Sequence, residues 1–346
     1  MKRLIRSFVV FFFAVLIFPM LLSAGGQSAG PILREKGEGR VLKRANGETF
    51  PTRQIELIVP VAAGGGQDLI SRQVAAMMTK ILGVPVVVNN MPGGNNLRGI
   101  GYVLNTPPDG YTLMSTILPG PVISQLTQNP GFTVKDLTPI ILFAKEANML
   151  VAHKNVPYNT FPELIKAYQS GKYDTIGSTG FGSTDYLCGL LLRDRNGLAF
   201  TEVLCYNGSG ELSAALLREE VPVGVLPSAS IINLAAEGEI KPIMFLSKDR
   251  LSTFPNVPAY TADYGYESID AIGGQARAFM ASPKLPTDIQ KFLHEVIKDV
   301  IKDPEFVAWA KEKSIPLLDT SIADLQKAFD EAYDIPKIVP LEQLMQ

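Results

Sequence analysis

Residues 55–68 read Ile55-Glu-Leu-Ile-Val-Pro-Val-Ala-Ala-Gly-Gly-Gly-Gln-Asp68, an apolar strand running through glycines into a helical pattern. Such a turn exposes the first unpaired N–H groups of the helix, and with the positive end of the helix dipole these form an anion site. A second stretch has the same plan: Tyr173-Asp-Thr-Ile-Gly-Ser-Thr-Gly-Phe-Gly-Ser-Thr-Asp185. One turn of this kind suggests a nucleotide fold. Two of them, well separated along the chain, suggest two lobes closing on a small anion.

Outward from the first turn, strands and helices alternate. Ile55 to Val61 reads as a strand, Leu69 to Ile81 as a helix, Val84 to Val88 as a buried strand, and Tyr111 to Ser115 as a third strand entered through Pro107-Pro-Asp-Gly110. Short apolar strands separated by helices imply an α/β fold with a parallel sheet. Ile140 to Val151 is a long apolar stretch without a turn signal and reads as a strand passing between lobes. Beyond it, Asp174 to Ile176, Thr201 to Tyr206, Val221 to Leu226 and Pro242 to Leu246 read as the strands of a second lobe, and Arg277 to Ala281 as the return crossing. Thr160 with Glu163 and Thr287 with Gln290 have capping-box spacing, and Asp303-Pro304 places an N-cap before a first-turn proline. The C-terminal helices are expected to pack back on the first lobe.

The N-terminus has the pattern of a secretory signal over residues 1–25: Lys2, Arg3 and Arg6, an apolar run from Phe8 to Leu22, then Ser23, Ala24, Gly25 and Gly26. That run is short for a bilayer span, which needs about 20 residues; an uncleaved anchor is the alternative. Losing those three cations moves the formal net charge from −2 to −5. A mildly acidic chain is a poor nucleic-acid or anionic-membrane binder, so affinity for an anion must come from local geometry. Residues 26–50 mix glycine with charge and read as a flexible tether. The remaining length and 46% hydrophobic residues suffice for two cores.

The first glycine turn nearly satisfies a dinucleotide fingerprint, but Leu69 stands at the third glycine position. The second strand ends in Asn89-Asn90, where a ribose-binding acid is expected. No lysine follows the glycines, which excludes a phosphate-cradling P-loop. Ser178, Thr179, Ser183 and Thr184 offer hydroxyl donors suited to a carboxylate, at about 1.5–3 kcal/mol per hydrogen bond to a charged group. Ser183 or Thr184 could equally cap its own helix, and Asp68 and Asp185 read as capping or dipole-complementing acids. Arg72 and Arg98 are the nearest cations to the first turn. His153 and His294 have no metal-ligand spacing, and no serine lies in a nucleophile elbow, so hydrolase chemistry has little support. Cys188 and Cys205 either pair or pack as small buried thiols, and two thiols exclude a cysteine-rich metal site.

Taken in order, several short motifs resemble the periplasmic solute receptors of tripartite tricarboxylate transporters, the Bug/TctC type. The carriers are Phe50-Pro-Thr-Arg53, Ile58 to Asp68 with Arg72, Val86-Val-Val-Asn-Asn-Met-Pro-Gly93 and Pro108-Asp-Gly-Tyr-Thr-Leu113. They continue with Tyr158-Asn-Thr-Phe-Pro-Glu-Leu164, Gly177 to Ser183, Tyr206-Asn-Gly208, Phe254-Pro-Asn-Val-Pro258 and Asp303-Pro304. The resemblance implies a type II periplasmic-binding-protein fold, two α/β lobes with a ligand cleft between them. On that reading residues 51–147 and 276–346 form lobe 1 and residues 148–275 form lobe 2.

The resemblance further implies a carboxylate held by two facing loops. One is Ala63, Gly64, Gly65, Gly66, Gln67 and Asp68; the other is Ser178, Thr179, Gly180, Phe181, Gly182, Ser183 and Thr184. Pocket side chains that set specificity are expected beyond the loops, around Tyr206, Asn207 and Pro227, with Tyr206 and Asn207 taken as ligand-binding. It implies delivery of the ligand to a membrane permease by a periplasmic, non-enzymatic protein, expected to be a monomer without cofactor or metal. The chain departs from the family pattern at Tyr186, where histidine is usual, and at Gly94-Asn-Asn-Leu-Arg98, where more glycine is usual. A ligand-sensing protein of the same fold and, more remotely, a nucleotide-using α/β enzyme are the rival readings.

Overall fold

The computed structural model describes residues 31–33, 39–64, 66–248, 250, 254–313 and 315–337. The signal pattern of residues 1–25 and the turn residue Gly65 lie outside the described residues. Among the described residues no helix is long and apolar enough to cross a membrane.

The first described elements form a small antiparallel sheet of β1 (Pro31–Leu33), β2 (Arg40–Lys43) and β3 (Thr49–Phe50). Thus residues 40–50, within the stretch read from composition as a tether, carry two strands. Leu42 and Phe50 are buried, and Arg44 Nε donates to Asp288 at 2.9 Å.

The main sheet opens with β4 (Ile55–Val59), α1 (Gly66–Leu82), β5 (Val86–Asn90), α2 (Leu97–Leu104), β6 (Thr112–Leu118) and α3 (Gly120–Gln128). β4 lies parallel between β5 and β6. On α1, Ile70, Val74, Met77 and Met78 are buried at helical spacing against the sheet. β5 starts two residues later than the sequence suggests because Pro85 has no N–H for the ladder. It runs on through Asn89 and Asn90, which pair with Ile58 and Val59.

β7 (Thr138–His153) is one 16-residue strand. Its first part, to Ala147, pairs with β12 (Gly274–Ala281), while its second, from Asn148, pairs with strands of the other lobe. Residues Ile140–Ala144 and Met149–Ala152 are all buried, the continuous apolar pattern of a strand covered on two faces.

The second lobe adds α4 (Phe161–Gln169), β8 (Thr175–Ser178), α5 (Thr184–Asn196), β9 (Glu202–Cys205), α6 (Ser209–Leu217), β10 (Val223–Pro227), α7 (Ile232–Ala236) and β11 (Ile240–Phe245). Parallel strands β9, β8 and β10 stand in that order, β10 is antiparallel to β7, and β11 joins the other side of β7. The capping box before α4 forms: Glu163 accepts from the N–H and hydroxyl of Thr160.

After α8 (Asp270–Gly273) the chain returns as β12 (Gly274–Ala281), antiparallel to both β6 and β7. It ends in α9 (Thr287–Lys302), α10 (Pro304–Glu312) and α11 (Ile322–Tyr333). α9 buries Ile289, Phe292, Leu293, Val296, Ile297 and Val300 against α1 and β7. Asp303 caps α10 by accepting from the N–H groups of Glu305 and Phe306. Thr287 does not cap α9: Pro286 holds the N-cap position and Thr287 is the first helical residue. Pro286, at φ −54° and an extended ψ of 137°, takes the N-cap, so the helix starts one residue earlier than the capping-box spacing predicts.

Candidate functional site

Strand direction fixes where the two glycine turns lie. Leu118, at the carboxyl end of β6, pairs with Ala276, which in turn pairs with Lys145 of β7. Pro227, at the carboxyl end of β10, pairs with Asn148 of β7. The carboxyl ends of both sets of parallel strands therefore meet the same few residues of β7, 145–148. In open α/β sheets a crevice outside the carboxyl ends is where ligands bind.

The first turn is closed by its own side chains. Asp68 is 2% exposed; its Oδ2 accepts from the Gly64 N–H at 2.9 Å and from Arg72 Nε at 2.9 Å, and its Oδ1 from Asn90 Nδ2 at 2.9 Å. Arg72 also donates to Asn90 Oδ1 at 2.8 Å. Burial raises the Asp68 carboxyl, but the bonds from Arg72, Gly64 and Asn90 outweigh it and hold it below its usual value. Gly64, at φ +91°, takes a conformation that costs a side-chain-bearing residue dearly. Ala63, Gly64 and Gly66 are exposed, whereas Gln67 is buried with its Nε2 3.4 Å from Ser115 Oγ on β6.

The second turn leaves β8 at Ser178 and enters α5. Ser183 is the N-cap, its Oγ accepting from the Tyr186 N–H at 3.1 Å, and it also meets Ser178 Oγ at 3.3 Å. That hydroxyl caps its own helix. Gly180 and Gly182 have φ of +146° and +69°. Phe181 is exposed and its ring packs 5.0 Å from that of Tyr186. Thr179 donates to Asp185 Oδ2. Asn148 Nδ2 lies 3.2 Å from Thr184 Oγ1, and Gln275 Nε2 lies 2.8 Å from Asn148 Oδ1, so the mouth of α5 is tied to β7 and β12. Tyr206 and Asn207 follow the next carboxyl end, that of β9. The Tyr206 N–H bonds Ser178 O at 2.9 Å and the Asn207 N–H bonds Glu211 at 2.6 Å, so these two main-chain donors are already used.

Asp185 is 1% exposed, and desolvation pushes its carboxyl up to about 7. Bonds from Thr179, Thr184 and Gln275 oppose that rise, while the nearby Glu146 carboxylate adds to it. Burial likewise pushes the Cys188 thiol up; Cys188 is buried, Cys205 is exposed, and both are free thiols.

Four polar residues that the sequence reading did not select complete the picture. Gln275 pairs with Glu146 across β12 and β7, and Arg277 and Asn148 stand two residues along their respective strands. Antiparallel partners and i, i+2 neighbours share a face, so all four point one way. Arg277 donates to Glu146 Oε1, and both are buried. Phe279, two residues beyond Arg277, pairs with Ser115, the residue that Gln67 contacts. One face of β6, β12 and β7 thus carries, in turn, a contact to the first turn at Ser115, a buried ion pair, and a contact to the second turn. The available signal was two polar residues two apart inside apolar strands, Glu146 and Asn148 in one, Gln275 and Arg277 in the other.

A cavity of about 380 Å³ lined by Leu104, Asn105, Phe132, Asp136, Pro283 and Lys284 flanks the start of β7 and the end of β12, the ends remote from the turns. Among the described residues no group of three or more His, Cys, Asp or Glu is placed to hold a metal.

The chain is similar in sequence and in fold to known proteins. The model of the tripartite tricarboxylate transporter family receptor matches residues 70–338. A UPF0065 protein of Bordetella pertussis is 30% identical over 82% of this chain and 87% of its own length. Protein BugT of the same organism is 27% identical over 79% and 84%. Among solved structures, a TctC solute binding protein from Polaromonas superposes with a TM-score of 0.69 at 23% identity, covering 83% of this chain and 98% of the other. MatC from Rhodopseudomonas palustris, solved with malate bound, gives 0.72 at 22% identity, covering 86% and 100%. An R. palustris protein solved with adipate gives 0.73 at 24%, covering 85% and 98%. These structures establish the two-lobed α/β binding-protein fold, and the family is one of solute-binding receptors, not enzymes. On the match of its sequence over residues 70–338, the chain belongs to the tripartite tricarboxylate transporter receptor family.

Proposed function

We propose that the protein captures a small organic carboxylate between its lobes outside the cytoplasm and hands it, as a monomer, to the permease of a tripartite tricarboxylate-type transporter. The observation that carries this reading is that both turns contact one face of the adjoining strands β6, β12 and β7. Lobe 1 takes residues 51–147 and 276–346 and lobe 2 takes residues 148–275. The passage of β7 from one set of partners to the other at Ala147 and Asn148 supports that division.

The ligand carboxylate meets the first-turn N–H groups of α1 and those of α5 other than the Tyr186 N–H, which Ser183 already caps. Ala63 to Asp68 and Ser178 to Thr184 form the two walls, with Gln67 and Thr184 at the floor and the Tyr206–Asn207 turn beside the second. The Asp68–Arg72–Asn90 network sets the shape of the first wall. Closure is a hinge motion at the crossing strands. The malate and adipate carried by relatives of this fold support a carboxylate ligand.

The test is a thermal-shift screen of purified protein against a broad carboxylate panel, with native mass spectrometry for a co-purifying acid. A ligand present at a hundred times its Kd stabilises by about 2.7 kcal/mol, which is readily seen. No shift with any carboxylate would count against the proposal.

A further inference from the structure

Inside the crossing, one acceptor has nothing to accept. Glu146 is 3% exposed, and its Oε1 takes the bond from Arg277. Its Oε2 is fully buried and has no hydrogen-bond partner among the described residues. A buried carboxylate oxygen left without a donor is costly, and native structures rarely keep one without a purpose. The oxygen shares a strand face with Arg277, Gln275 and Asn148, and the last two reach Thr184 at the mouth of α5. Charge points the same way. Glu146 and Asp185 are two buried acids close enough to interact, and among the described residues Arg277 is the one buried cation bonded to either.

We propose that Glu146 is a specificity residue, and that the ligand bears, besides the carboxylate gripped by the glycine turns, a hydrogen-bond donor (a hydroxyl or an ammonium) that Glu146 Oε2 receives. The inference rests on the cleft reading above. Arg277 holds the Glu146 carboxylate in one orientation, so that the free oxygen is presented as a fixed acceptor. A plain acid with hydrogen at that carbon leaves the oxygen buried and unpaired, whereas a hydroxy or amino acid satisfies it. Sites built to bond a donor group reject analogues that lack it.

The experiment is calorimetric titration of the full chain with triads of acids sharing one carbon skeleton: succinate, malate and aspartate; propionate, lactate and alanine; glutarate, 2-hydroxyglutarate and glutamate. Within the triads that bind, the hydroxyl or ammonium member is expected to bind at least about tenfold more tightly than the plain acid. A further preference for ammonium over hydroxyl identifies the donor as cationic; the reverse identifies it as neutral. In Glu146→Gln the amide can turn a donor toward that position, and the ratio is expected to fall below about threefold.

Should Glu146→Gln fold poorly, the paired variant Glu146→Met with Arg277→Met removes both charges at similar volume, and the ratio is expected to collapse in the same way. Plain acids binding as tightly as their partners in the wild-type protein would overturn the proposal. So would an unchanged ratio in both variants, since the donor would then be read elsewhere. If no acid of any triad binds, the carboxylate reading itself fails, an outcome distinct from binding without discrimination.

Discussion

Asn90 Nδ2 donates to Asp68 Oδ1 at 2.9 Å, joining the carboxyl end of β5 to the first turn of α1. The strand end that lacks an acid for a ribose instead supports the turn's own aspartate. The same amide also donates to Val61 O at 3.1 Å, so one side chain spans the loop between β4 and α1.

Asn90→Ala should therefore loosen the first turn. We expect a loss of about 1–3 kcal/mol in urea unfolding at neutral pH, because buried Asp68 loses a donor and Val61 O its partner. Since the folded Asp68 carboxyl lies below its ordinary value of 3.8, its contribution is present above that pH and is lost as pH falls through the depressed value. The stability gap between wild type and variant should thus narrow in acid. A gap that widened as pH fell would contradict the assignment.

Asp185 titrates with the opposite sign. Its folded value, about 7, lies above the ordinary 3.8, so between those limits the folded chain holds a proton that the unfolded chain releases. Stability should decline as pH rises from about 4 to 7 and level off above. The titratable groups facing it are Glu146 on β7, already bonded to Arg277 of β12, and the Cys188 thiol on its own helix, which burial keeps protonated. Asp185→Asn should flatten that segment of the profile, read as the difference between denaturation midpoints of the two proteins across pH. A difference that stays constant from pH 4 to 8 would rule this out.

Breaking the Arg277–Glu146 pair from one side should be worse than removing it altogether. Arg277→Ala strands a buried carboxylate and is expected to cost about 3–5 kcal/mol, while the double methionine variant is expected to be neutral or up to about 4 kcal/mol more stable. Chemical denaturation of the three proteins decides it. Equal losses in the single and double variants would mean that the pair is not coupled.

The thiols offer a simple check of lobe 2. A disulfide-exchange reagent should modify Cys205 in the native protein at once and Cys188 only after unfolding, since one thiol is exposed and the other lies in the core with its thiolate disfavoured. Rapid native labelling of two thiols per chain would show that α5 does not pack as described.

Much of the fold was legible because its signals are local. Glycines between Val59 and Gly66 and between Ser178 and Thr184 mark strand-to-helix turns wherever they occur in the chain. The spacing of Ile70, Val74, Met77 and Met78 gives a helix regardless of what covers it. The long, mostly apolar stretch from Ile140 to Val151, without a turn signal, announced a single strand passing between lobes. Where single residues decided a boundary, the reading slipped by one or two positions: Pro85 delayed β5, and Pro286 displaced Thr287 from its cap.

The proposed cleft divides along the same line. The sequence by itself determined two amide-rich turns, one in each half of the chain, and the chemistry of a small anion that suits them. The tertiary structure alone decided that Glu146, Asn148, Gln275 and Arg277 share one face of β7 and β12, beneath the cleft proposed between those turns. These residues come from strands far apart in the chain, and which side chains share a face depends on the register between β7 and β12. Register is set by the packing of the whole sheet, and a slip of one residue would turn every one of those polar groups to the opposite side.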